Sequence, residues 1–186
     1  MIKMNLPNKL TVLRVLLVPV FILVLLLSNK TDIGFFRILP LIIFVGAAIT
    51  DTLDGYIARK HKLITDFGKF MDPLADKLLV CAALICFVEI KYISSWIVVL
   101  IISREFIISG FRMLAASKGI TIAANMWGKI KTVVQMILVI VILCDFANIF
   151  GFLSILITPL IVLTIILTVV SAATYILDNK KVIKNM

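Results

Sequence analysis

The chain has 186 residues, is 62% hydrophobic and carries a formal net charge of +9. A soluble domain is nearer half apolar. A mean hydropathy of +1.19 therefore excludes an ordinary soluble domain and points to an all-α integral membrane protein, whose length suits one compact domain over residues 1–186.

A helix needs about 20 apolar residues to cross the hydrocarbon of a bilayer. Six segments qualify, near residues 9–28, 35–60, 70–90, 93–117, 126–148 and 152–177. The first contains Pro19, lacks a small-residue cleavage site and continues at spanning length, so it reads as a span and not as a signal peptide. The second and third are joined by a polar turn over 61–69, with His61, Lys62, Thr65, Asp66 and Gly68. The remaining breaks fall at Ser28-Asn29-Lys30, Glu89-Ile-Lys91, Ser117-Lys118-Gly119 and Asn148-Ile-Phe-Gly151. Cys81, Cys86 and Cys144 lie inside apolar runs and read as small buried hydrophobes. No internal repeat is visible.

Six spans place both termini on one side. Of the 19 Lys and Arg, only Lys30, Arg37 and Lys91 fall on the other side. By the positive-inside rule the termini are cytoplasmic, and the ends of the second and third spans open to the cytoplasm.

Those ends carry aspartates. Asp51 and Asp54 are spaced i,i+3, and Asp72 and Asp76 are spaced i,i+4. On two neighbouring helices each pair shares a face. Carboxylates in membrane helices are costly and mark functional sites. Four that converge repel one another unless cations lie between them, which points to one or two divalent metals. Gly55 and Ala58 let a ligand approach the backbone. Arg59, four residues beyond Gly55, suits a phosphate or diphosphate. Together these residues read as a nucleotide-diphosphate site.

The run Asp51-x2-Asp54-Gly55-x2-Ala58-Arg59-x8-Gly68-x3-Asp72-x3-Asp76 resembles the signature of the CDP-alcohol phosphatidyltransferase family at every defining position and spacing. The resemblance implies a homodimeric enzyme of six spans in the bacterial cytoplasmic membrane, with CDP-diacylglycerol as donor and CMP as leaving product. It implies that Asp51, Asp54, Asp72 and Asp76 hold Mg²⁺ or Mn²⁺, two ions in all, and that Asp76 is also the general base. Gly55, Ala58, Arg59 and Gly68 would then lie along the CDP portion.

The acceptor must be read elsewhere. Arg104, Arg112, Lys129 and Lys131 lie toward the cytoplasmic side of the fourth and fifth spans. Arg104 and Arg112 are about two turns apart and close to one face. Lys129 and Lys131 point apart, so only one need face the site. Such a cluster suits a phosphate-bearing acceptor, with Arg104, Arg112 and Lys131 as its ligands. Asn8-x2-Thr11-x2-Arg14, Ser103-Arg104-Glu105 and Gly128-Lys129-x-Lys131-Thr132-x2-Gln135 are similar to the phosphatidylglycerophosphate synthase branch, which implies sn-glycerol 3-phosphate. Inositol phosphate or phosphatidylglycerol remain alternative acceptors, and a cation-coupled transporter is the reading from a different class. The partner of Glu105 stays open, since Arg112 at i+7 is a long reach. No nucleic-acid partner is expected.

Overall fold

The computed structural model describes the backbone of residues 6–31, 34–60, 66–117 and 125–180, and the side chains of these residues except 6–10, 51–60, 66–74, 76 and 117. The described residues form six helices and no strand. These are α1 (Leu6–Ser28), α2 (Gly34–Lys60), α3 (Asp66–Glu89), α4 (Ser95–Ser117), α5 (Met126–Phe146) and α6 (Ser154–Asp178). With 21 to 27 residues each, they run about 30–40 Å at 1.5 Å per residue.

The expected spans match these helices to within a few residues, with one difference. The turn expected over 61–69 is shorter, because α3 already begins at Asp66. Aspartate is common in loops and, by complementing the positive end of the helix dipole, in the first turn of a helix, so the residue type at 66 allows either. Two helix ends follow a different logic. Tyr92 N–H reaches Phe87 O and Ile149 N–H reaches Cys144 O. The preceding residues, Lys91 and Asn148, adopt left-handed φ values of 64° and 53°. Both are Schellman-type closures made without glycine.

Helix α1 packs on α2 and α3, α2 on α5, α5 on α6, α6 on α4 and α4 on α3, while α3 also touches α5. The interior is apolar around Phe21, Phe44, Leu79, Phe87, Leu138 and Ile142, with the Phe21 and Phe44 rings 6.0 Å apart. Along α6, Thr164 and Thr168 donate to Leu160 O and Thr164 O at 2.7 and 2.6 Å. These small side chains satisfy their own hydroxyls, which permits close helix approach without an orphaned polar group. Cys86 is buried, and Cys81 and Cys144 are half-buried.

The outer surface is apolar. Leu16, Leu23 and Leu27 of α1, Val99 and Ile107 of α4, and Ile155, Ile166 and Leu177 of α6 are all exposed. A soluble monomer rarely presents apolar area on this scale. Residues 11–28 and 154–178 are each long and apolar enough to cross a bilayer, with mean hydropathy 2.6.

One polar contact closes an end of the bundle. In the α3–α4 connection, Tyr92 Oη donates to Asp145 Oδ2 of α5 at 3.0 Å, and the Arg37 guanidinium lies 5.8 Å from the Phe146 ring centre. Burial, then the hydrogen bond and the negative charge of Asp145, push Tyr92 from 10.0 up to about 12. The folded state thus favours the neutral phenol, and this contribution to stability is complete below pH 10 and lost as pH rises toward 12. Thermal melts in detergent are expected to show a decline across that window which Tyr92→Phe removes.

Candidate active site

The backbone is helical through Asp51–Lys60 of α2 and from Asp66 through Asp76 of α3. Helical geometry keeps Asp51 with Asp54, and Asp72 with Asp76, each within about one turn. The side-chain arrangement of Asp51, Asp54, Gly55, Ala58, Arg59, Gly68, Asp72 and Asp76 lies outside the described residues. Elsewhere, among the described residues, no three His, Cys, Asp or Glu side chains gather as a metal set.

Beside this segment lies a cluster that is described in full. Glu105 of α4 is buried and accepts from three cations. Lys77 Nζ of α3 is 2.9 Å from its Oε2, Arg104 Nη1 is 3.2 Å from its Oε1, and Lys131 Nζ of α5 hydrogen-bonds the same Oε1. Lys131 is 0% exposed, while Lys129 two residues earlier is exposed. The expected divergence of these two lysines therefore resolves with Lys131 inward. Arg104 is half-buried, whereas Arg112 is exposed, so the structure gathers Arg104 and Lys131 and leaves Arg112 outside their hydrogen-bonded group. Removing one partner of a buried ion pair strands the other charge, at about 3–5 kcal/mol.

Sequence reasoning left Glu105 without a partner and counted Lys77 only among the cytoplasmic cations. A carboxylate inside an apolar helix needs a cation, and Lys77 and Lys131 both lie inside neighbouring helices. That requirement was the available signal. On α1, Thr11 and Arg14 are each 1% exposed, so this pair is interior to the bundle and not an interfacial fringe. Gln135, one turn beyond Lys131, is buried as well.

The start of α5 is held by Asn125. Asn125 caps α5 by accepting from Gly128 N–H at 2.8 Å, and its Nδ2 donates to Thr174 Oγ1 of α6 at 2.8 Å. A Cβ on Gly128 would lie 3.0 Å from Asn125 Oδ1 and 3.4 Å from Arg104 Nη2, so glycine mainly leaves room for the capping side chain. Between α4 and α6 a cleft of about 430 Å³ is lined by apolar side chains together with Ser103, Arg104 and Tyr175. Two buried donors at this cleft, Arg104 Nε and Tyr175 Oη, have no hydrogen-bond partner among the described residues.

An all-α bundle with an aspartate-bearing helix pair beside an interior basic cluster defines the class. Residues 4–177 match the CDP-alcohol phosphatidyltransferase family, and the chain belongs to that family. It is a membrane protein. It is 47% identical over 143 residues to a Bacillus subtilis (strain 168) protein named CDP-diacylglycerol–glycerol-3-phosphate 3-phosphatidyltransferase, covering 73% of this chain and 74% of that one. Proteins of the same name from Rickettsia felis and Haemophilus influenzae are 41% identical over 132 residues and 43% identical over 140 residues. The match covers 71% of both chains in the first case and 73% of both in the second.

The double role of Asn125 is testable. Asn125→Ala removes both the cap and the tie to Thr174, and is expected to lower stability by about 1–2 kcal/mol. Asn125→Asp keeps the cap acceptor and loses only the tie, so its melting temperature in detergent should fall between Asn125→Ala and wild type.

Proposed function

We propose that this chain transfers the phosphatidyl group of CDP-diacylglycerol to sn-glycerol 3-phosphate, giving phosphatidylglycerol phosphate and CMP. The observation that carries the acceptor is the interior basic group of Lys77, Arg104 and Lys131 around Glu105. A phosphate-bearing alcohol needs cations there, and an acceptor bringing its own cation, such as choline, would be repelled. The relatives named for this reaction match across about three-quarters of both chains.

In this reading Arg104 and Lys131, with Lys77 beside them, bind the acceptor phosphate. The acceptor hydroxyl oxygen forms a bond to the phosphorus bearing the diacylglycerol, and the bond from that phosphorus to the CMP oxygen breaks. Asp76 takes the hydroxyl proton, a role worth about 10²–10⁴-fold in rate. Arg59 steadies the diphosphate, and Gly55, Ala58 and Gly68 leave room for the CDP portion. Family membership brings a divalent-metal requirement. Asp51, Asp54, Asp72 and Asp76 form an all-oxygen donor set on helical spacing, which fits hard cations such as Mg²⁺ or Mn²⁺, two in this proposal. When bound, such ions neutralise charge on the diphosphate. Apart from the proton transfer to Asp76, the remaining contributions are positioning.

The setting follows from the substrate, whose acyl chains stay in the bilayer. We place the six helices as spans of a single domain, 1–186, in the bacterial cytoplasmic membrane, with both termini and the aspartate ends facing the cytoplasm, where glycerol 3-phosphate is dissolved. The distribution of Lys and Arg supports that orientation, and the apolar exterior supports the spans. Assembly as a homodimer rests on family likeness.

CMP release by the detergent-purified protein with CDP-diacylglycerol and Mg²⁺ tests the reading. It is expected with glycerol 3-phosphate and not with inositol phosphate, inositol, serine or phosphatidylglycerol. Release with another acceptor would keep the chemistry and overturn the acceptor. Asp76→Asn is expected to abolish turnover in a protein that still folds, and near-normal activity would remove Asp76 as the base.

A further inference from the structure

We propose that Glu105 is the positioning residue of the acceptor-phosphate site, holding the cations of three helices in place and trimming their charge to match one phosphate dianion. The inference rests on the acceptor reading above and deepens it.

The first part is geometric. Glu105 uses both oxygens: Oε1 accepts from Lys131 and Arg104, and Oε2 accepts from Lys77. Lysine and arginine have long stems with much rotamer freedom, and ordering them during binding weakens affinity. A carboxylate that already holds all three removes that cost in advance. Glu105 takes one of the three N–H donors of Lys131 and one of the five of Arg104, so donors remain for a ligand. Arg104 Nε is such a donor, buried and without a partner among the described residues.

The second part is electrostatic. Lys77, Arg104 and Lys131 bring three positive charges and Glu105 one negative charge, so the group carries +2. A phosphate monoester carries about −1.5 to −2 at pH 7. In a low-dielectric interior any uncancelled charge is penalised, so a group at +2 is neutralised by one such acceptor. At +3 the cations repel one another and the acceptor leaves a charge behind.

The third part is a link between the two halves of the reaction. Lys77 immediately follows Asp76 on α3, so the Lys77–Glu105 pair ties the helix carrying the proposed base to α4 beside Arg104. Glu105 touches no reacting atom in this account. It acts through Lys77, Arg104 and Lys131.

Steady-state CMP release tests this, with KM measured separately for glycerol 3-phosphate and for CDP-diacylglycerol. Glu105→Gln is expected to raise KM for glycerol 3-phosphate by about tenfold or more, with KM for CDP-diacylglycerol within about twofold of wild type. Glu105→Asp keeps the charge on a shorter stem and should fall between. If Glu105→Gln does not fold, Glu105→Asp carries the test, with an expected rise of about threefold confined to the acceptor KM. An acceptor KM that stays at the wild-type value in a folded variant overturns the positioning role, and so does an equal rise in both KM values. A wild-type protein that releases CMP with another acceptor but not with glycerol 3-phosphate overturns the underlying acceptor reading, so the two failures are read from different proteins.

Discussion

Glu105 and the three cations it holds form the interaction around which the centre of the bundle is organised. A carboxylate inside an apolar bundle is tolerated only when paired, and here its partners come from α3, α4 and α5. Elsewhere α3 meets α4 and α5 along the apolar core. Pairing adds direction. It commits Lys131 inward and ties α3 to α4 one residue past the end of the aspartate run.

The rest of the fold is consistent with that core. In lipid, apolar side chains gain little by meeting each other instead of acyl chains. Association then depends on close packing and on polar groups with nowhere else to go. The Asn125–Thr174 tie and the Tyr92–Asp145 bond are of the second kind, and the Thr and Ser residues along α6, bonded to their own helix, suit the first. The exterior is free of such demands and is occupied by exposed Leu, Ile and Val. A few polar groups held inside an otherwise apolar interior, behind an apolar surface, suit a bilayer, where a soluble protein would present a polar surface.

Function divides along the same lines. Charge neutralisation of a diphosphate is served in our proposal by the aspartates of α2 and α3, and recognition of a phosphate-bearing acceptor by the cations of α4 and α5. Glu105 supplies a competing internal anion, so the cations are occupied before any substrate arrives.

The sequence by itself determined the six helices, because runs of about 20 apolar residues between polar breaks are a one-dimensional signal. It also determined the family, because Asp51, Asp54, Gly55, Ala58, Arg59, Gly68, Asp72 and Asp76 fall at fixed spacings along two helices. It misplaced the start of α3, since Asp66 reads equally as a loop residue or as the first residue of a helix. It identified Arg104 and Arg112 from their spacing on one helix and Lys131 from its motif, with nothing to show that Arg112 is exposed. Only the tertiary structure decided the partners of Glu105. Lys77 and Lys131 lie 28 and 26 residues from it along the chain, and no helical period connects residues on different helices. Rotation of each helix about its own axis sets which charges meet, and that rotation comes from packing among all six.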